Sequence, residues 1–418
     1  MHVAVIGGGV VGLSTAWYLN ERGISVTVFE RKEVGAGASW GNAGQIIPTM
    51  AVPLAEPGNL KFALTSFLKS NSSVTAPRIF DKNVLTFLPA FAFNSTTKKY
   101  LKSLSEMMVL STSANDEFQH LEKFGVQTTR KPGTFTAAMS SSSYGNYLLK
   151  EFSDVAENGM VSDVSLLTDQ QLHRAESLVL PRFTSGIQLK NQSFLDPPQL
   201  LSNLAENLSS KGVEIIENCK ISSVTKVNGK IKVSKENGSA EIFDSVVIAT
   251  GGWLSDLAVQ HGVKMPVVAG IGYSMSVKCA ESTNGMLYFP EYKLACTSYR
   301  GGLRISSFLQ IANVDRSSKK KNQEKLLQTS RKVFPQIDWD TVGDFWSGGR
   351  PLSTDGKPLI GQTKTAGVYV NGGHGMWGVT LGPASGKLLA DRIFSGHESA
   401  AISNFNPLRS SLIKSAAR

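Results

Sequence analysis

The chain opens on His2-Val3-Ala4-Val5-Ile6, a short apolar run that reads as a buried strand. In Val11–Arg22, Leu13, Ala16, Trp17 and Leu19 recur at three- to four-residue spacing, which predicts a helix, and Gly23 stops it. Ser25–Phe29 reads as a second strand, with Glu30 at its carboxyl end. From about Pro48 to Asp196 strand signals thin out, and helical segments fall at Leu101–Phe124 and Gly145–Glu157. Beyond Pro197 the α/β pattern returns with a helix over Gln199–Lys211. Strands are expected at Val213–Ile216, Ile221–Val227, Ile231–Lys235 and Val246–Ala249, with turn signals at Asn228-Gly229 and Asn237-Gly238. Val267–Ala312 is rich in β signals and Asp315–Phe334 reads as a charged helix. A strand (Val368–Asn371), a glycine cluster and a helix (Thr380–Phe394) close the chain. The recurrence implies one α/β domain assembled from residues 1–50, 197–262 and 345–418. A second domain, 51–196 and 263–344, is inserted as two excursions.

Composition narrows the class. The 418 residues are 41% hydrophobic and 18% charged, too apolar for a disordered chain. Three cysteines without a CxxC pair, and six histidines without HExxH or HxH spacing, indicate no disulfide framework and no metal site. The longest apolar stretch, Leu85–Phe93, is nine residues holding a proline, whereas a bilayer crossing needs ~20. The expectation is a reduced, cytoplasmic protein with at most a peripheral contact at the inner face of the cell membrane. The formal charge of +10 is concentrated in part between Arg316 and Lys332. That run reads either as a solvated helix face or as a contact for anionic lipid. Nucleic-acid binding is not indicated, because no aromatics interleave with the basic residues.

The chemistry sits in the glycines. Gly7-x-Gly9-x-x-Gly12 lies between a strand and a helix, and Glu30 ends the next strand. Gly7 permits the tight turn, Gly9 lets a pyrophosphate approach the backbone, and Gly12 lets helix pack on strand. The helix N-terminus offers free amides to phosphate, and Glu30 would accept from ribose hydroxyls. Two distant clusters, Thr250-Gly251-Gly252-Trp253 and Gly372–Gly378, favour a long cofactor lying across the sheet, hence FAD over NAD.

The stretches Val3–Arg31, Ser39–Ile46, Gly272-Tyr273-Ser274, Trp346–Gly361 and Gly372–Asp391 resemble the D-amino acid oxidase-like flavoprotein superfamily, in particular its bacterial D-amino acid dehydrogenases. The resemblance implies a Rossmann-type, glutathione reductase-like FAD-binding domain interleaved with an α+β substrate domain on an antiparallel sheet. It also implies FAD at Gly7, Gly9 and Gly12 with Ile6, Val10, Val11, Glu30, Arg31 and Ser39. Asn42, Ala43, Gly44 and Gln45 would line the flavin ring, Ile221 the adenine end, and Gly251 and Trp253 would lie near the cofactor. His374, Gly375, Gly378, Val379 and Thr380 would approach the pyrimidine side of the ring. No cysteine or histidine is obviously placed for a covalent flavin link, so FAD is expected to be non-covalent. Met376-Trp377 departs from relatives and bears on pocket shape.

Arg350 is the leading candidate for substrate contact, since its planar fork suits a carboxylate; the alternative is a salt bridge with Asp355. Tyr273 either orients that carboxylate or is a core tyrosine. The implied reaction is oxidative deamination of D-amino acids to 2-oxo acids and ammonia, by hydride transfer from Cα to flavin N5, with a quinone-type acceptor. Glycine or sarcosine oxidases, proline or hydroxyproline dehydrogenases, and a non-catalytic flavin-binding protein are the alternatives.

Overall fold

The computed structural model describes residues 1–60, 82–159, 163–311 and 319–409. Val3–Ile6 does form the expected strand, β1 (His2–Ile6), and it takes the middle of a six-stranded sheet. β2 (Ser25–Phe29), β7 (Glu214–Ile216), β11 (Ser245–Ile248) and β18 (Val368–Gly372) join it, all parallel, in the order β18-β11-β1-β2-β7; β17 (Leu359–Gln362) adds antiparallel to β18. Both faces of these strands are covered, as their continuous apolar text requires. Val3 and Val5 point into a core shared with helix α1 (Val10–Glu21) and the helices Thr97–Lys123, Pro197–Ser210 and Gly378–Ser395. Ala4 and Ile6 point the other way, onto a core closed by a small antiparallel sheet. That sheet is β8 (Ile221–Val227), β9 (Lys230–Lys235) and β10 (Ala240–Phe243). Asn228 and Gly229 both adopt positive φ, 50° and 80°, the geometry of a two-residue I′ hairpin turn.

The second body is a nine-stranded, mostly antiparallel sheet. Its strands are β3 (Gln45–Ile46), β4 (Lys131–Met139), β5 (Val164–Leu167), β6 (Ser185–Phe194), β12 (Val267–Lys278), β13 (Gly285–Phe289), β14 (Leu294–Tyr299), β15 (Gly302–Ile311) and β16 (Gly343–Ser353). Two expected boundaries need correction. Residue 345 falls inside β16, which pairs with β12 along Val267–Ser276, so the whole Arg350 strand is part of the nine-stranded sheet. Gln45–Ile46, before the expected break at 50, pairs with β6 in the same sheet. Leu85–Phe93, read only as an apolar stretch, lies in the helix Lys82–Asn94, which accommodates Pro89. The basic run forms the helix Lys319–Val333, burying Leu326 and Val333 and exposing Lys320, Lys321, Arg331 and Lys332; Arg316 lies outside the described residues.

Candidate active site

A cavity of about 380 Å³ opens where the carboxyl ends of β1, β2, β11 and β18 meet. Gly7 makes that turn at φ 118°, and a Cβ there would lie 2.4 Å from the Ala249 carbonyl oxygen. Gly12 does not reach the cavity. A Cβ on it would lie 1.9 Å from the Gly7 oxygen, so its role is to let α1 pack onto the loop. Gly9, at the N-cap of α1, brings no side chain to cap it, which leaves the helix amides after Val10 to a ligand. Ser39 Oγ accepts from the Val10 amide at 3.1 Å and fixes the neighbouring loop. Glu30 accepts from the Gly8 and Lys32 amides at 2.7 and 3.0 Å, which orients its carboxylate at the cavity edge.

Ile6, Val10, Val11, Arg31 and Asn42 also line this space, as do Ile221, Gly251 and Trp253. The Arg31 guanidinium stacks 4.4 Å from the Trp253 ring centroid and ties two chain segments together across the opening. His374, Gly375, Gly378 and Val379 form the far wall, beside Met376. Burial alone pushes the His374 pKa down to about 3, so the ring is neutral at physiological pH. Ser385 Oγ lies 2.9 Å from His374 Nε2 and itself donates to the Gly382 carbonyl, which makes Nε2 the protonated nitrogen and Nδ1 a bare acceptor.

Four expected cofactor residues stand behind the wall. Gly44, at φ 73°, turns the chain against the Leu195 carbonyl, and its amide donates to Asn42 Oδ1 at 2.8 Å. Ala43 is half-buried without lining the cavity. The Gln45 carbonyl accepts from Thr380 Oγ1 at 3.2 Å, joining β3 to the last long helix. These residues brace the loop that carries Asn42. Arg304, almost fully buried, does the same from β15: its guanidinium donates to Ser276 Oγ and the Trp40 carbonyl.

Sequence reasoning missed Thr250, Asn371 and Cys219, which all line the cavity. A signal existed for the first two, since each directly precedes a glycine pair at a strand end. Cys219 lines the cavity along with the expected His374; burial raises the Cys219 pKa and disfavours its thiolate.

Buried polar atoms without partners cluster here: Thr250 Oγ1, Trp253 Nε1, Asn371 Oδ1 and His374 Nδ1. A cleft of this volume, with open helix amides and unsatisfied donors and acceptors, is built for a dinucleotide.

Arg350 lines the same cavity from β16. Loss of solvent brings its pKa down to about 10, and it stays charged at neutral pH. The alternative pairing fails, because Asp355 is held by the Arg409 fork at 2.7 and 3.0 Å. Tyr273 is a correction. Neighbouring residues of a strand face opposite ways, and Tyr273 turns into the core with Ile271, Met275 and Leu326. Its hydroxyl donates to Gln310 Oε1 and accepts from Asn322 Nδ2, at 3.0 and 2.7 Å. It cannot orient a carboxylate at Arg350.

The family described as FAD dependent oxidoreductase, DAO, matches residues 2–392. The chain belongs to that family. A D-amino acid dehydrogenase of Vibrio atlanticus (strain LGP32) is 27% identical over 408 residues, 96% of this chain and 97% of the relative. Glycine oxidase from Bacillus cereus ATCC 14579 superposes with a TM-score of 0.73 at 20% identity, covering 96% of this chain and 97% of the other. L-proline dehydrogenase from P. horikoshii gives 0.72 at 17%, covering 98% and 97%. The protein is therefore an FAD-dependent oxidoreductase, and FAD is the dinucleotide that its open amides and unsatisfied polar atoms fit. No helix among the described residues is long and apolar enough to cross a membrane.

Proposed function

We propose that this FAD enzyme deaminates D-α-amino acids to 2-oxo acids and ammonia and passes the electrons to a quinone-type acceptor. The observation that carries the reading is Arg350, a charged guanidinium on the wall of the cofactor cavity. A planar fork there suits two parallel hydrogen bonds to a carboxylate. FAD, when bound, supplies the two-electron oxidation of the amine. The chain holds the carboxylate, and with it the direction of the Cα–H bond. The imine product takes up water and releases ammonia, so no protein acid–base pair is required. His374 is neutral and contributes a hydrogen-bond acceptor and no charge. The D preference and the acceptor rest on likeness to the Vibrio enzyme. Location in the cytoplasm or at the inner face of its membrane fits the exposed lysines of Lys319–Val333.

The test is anaerobic flavin reduction by paired D- and L-amino acids, glycine, sarcosine and cyclic imino acids, then reoxidation by a quinone analogue or by oxygen. D-enantiomers should bleach the flavin faster, and the quinone should outpace oxygen. Faster reduction by L-forms, or oxygen matching the quinone, overturns the corresponding half of the reading. Arg350→Lys should lose ~1.5–3 kcal/mol, hence more than tenfold in kcat/KM, because a point charge cannot reproduce the fork. Its FAD content should not change. Wild-type kcat/KM in that variant would remove Arg350 from the site.

A further inference from the structure

Gly272 of β12 and Gly348 of β16 face each other directly across the ladder. Residues so paired project to the same face of a sheet, with Cβ positions ~5 Å apart. Neither has a Cβ, and each is covered by a different side chain. A Cβ on Gly272 would lie 2.6 Å from the central carbon of the Arg350 guanidinium. One on Gly348 would lie 2.1 Å from Cζ2 and 2.3 Å from Cη2 of Trp346. The guanidinium thus covers one glycine of the pair and the benzo edge of the indole covers the other.

The indole reaches further. A Cβ on Gly41 would lie 2.0 Å from Trp346 Cδ2, so the other end of the ring rests on the loop that carries Asn42 into the cavity. That loop is held down at this point, where Ser274 Oγ donates to the Gly41 carbonyl at 2.9 Å. Two glycines on two segments, Gly41 and Gly348, therefore leave room for one half-buried ring, between the carboxylate anchor and the cofactor loop.

Resting on the reading above, we infer that Trp346 is the specificity-determining wall of the substrate pocket, and that the substrates are small α-amino acids. A carboxylate held by Arg350 places the substrate's Cα within a few ångströms of the guanidinium, hence next to the indole. A hydrogen, methyl or hydroxymethyl group fits beside the ring. A branched or aromatic side chain collides with it, and the ring is backed by loop and strand backbone on both sides.

The experiment uses the FAD-loaded wild type, Trp346→Ala and Trp346→Phe, with D-alanine, D-serine, D-leucine and D-phenylalanine under anaerobic conditions. Wild type should prefer D-alanine to D-phenylalanine by ~30-fold or more in kcat/KM, and Trp346→Ala should shrink that ratio at least ~10-fold, the scale on which pocket shape discriminates apolar groups. The change should appear mainly as a lower KM for the bulky substrate. Trp346→Phe, which keeps a ring, should keep the wild-type order. As a readout without turnover, Trp346→Ala should bind phenylacetate more tightly than wild type and acetate no differently, measured from the flavin difference spectrum.

Equal use of D-phenylalanine by wild type overturns the wall, as does a uniform loss on all four substrates in Trp346→Ala at full flavin content. Either result leaves the deaminase reading standing, because D-alanine still bleaches the flavin. If no amino acid of either hand reduces the wild-type flavin, the deaminase reading falls and takes the wall with it.

Discussion

Glu176 is the buried acid whose cost is easiest to measure. It is 1% exposed; Oε2 accepts from the Asn284 amide at 3.2 Å, and Oε1 has no partner. Desolvation raises its pKa to about 7. The nearby Cys296 is also held neutral by burial. Between the ordinary carboxyl pKa and about 7 the folded protein therefore binds more protons at Glu176 than the unfolded chain does. Stability drawn from this group is present at low pH and is lost as pH rises through that interval. Glu176→Gln keeps the hydrogen-bond acceptor and removes the titration. It should stabilise the fold at pH 8, by an amount on the order of 1–3 kcal/mol, and leave it nearly unchanged at pH 4.5. Urea unfolding at the two pH values measures the difference, and an equal shift at both would show that the carboxyl does not titrate as argued.

At the scale of elements, the close contact of α1 with its loop depends on Gly12. A Cβ there meets the Gly7 carbonyl, a backbone atom fixed by β1 on one side and the helix on the other. Gly12→Ala should cost at least ~1–3 kcal/mol, the usual penalty of overpacking, and should lower the FAD content of the purified protein. Gly343→Ala, where an added Cβ meets nothing within 4 Å, is the control. Equal Tm and flavin content in the two variants would separate Gly12 from cofactor binding. The β1–α1–β2 unit was readable because its information is local: strand alternation, helical spacing and glycines within Val3–Glu30. The faces of β12 were not readable. Alternation puts Tyr273 opposite Gly272 and Ser274, but which face meets the site depends on β16, some 70 residues further on. The same non-local pairing hid Trp346, visible in the text as part of a motif but without a role until Gly41 and Gly348 are seen beneath it. Asp355 looked available to Arg350 for the same reason, because its partner Arg409 lies 54 residues away.

Across the whole molecule, the cavity is held together by segments that have little else in common. Residues from β1 to Asn42, from Cys219 to Leu257 and from Arg350 to Val379 each contribute a wall, and the unpartnered atoms fall on two of them. Those groups are desolvated by folding and satisfied only by the cofactor, so FAD should bind the native state alone and stabilise it. Stripping the flavin should lower Tm, and adding FAD back should raise it with the logarithm of its concentration, by ~2.7 kcal/mol at one hundred times Kd. A covalent link would abolish that dependence, and two side chains in the wall make the point worth testing. Cys219 sits with Lys220 and Ile221 near Glu30, with burial holding its thiol protonated. His374 has one nitrogen tied to Ser385 and is kept neutral, so Nδ1 is a free acceptor that a cofactor hydroxyl or N–H can satisfy without bond formation. Acid precipitation should therefore leave the yellow colour in the supernatant. Flavin retained in the pellet would show a covalent bond, and peptide mapping would then place it on Cys219 or His374.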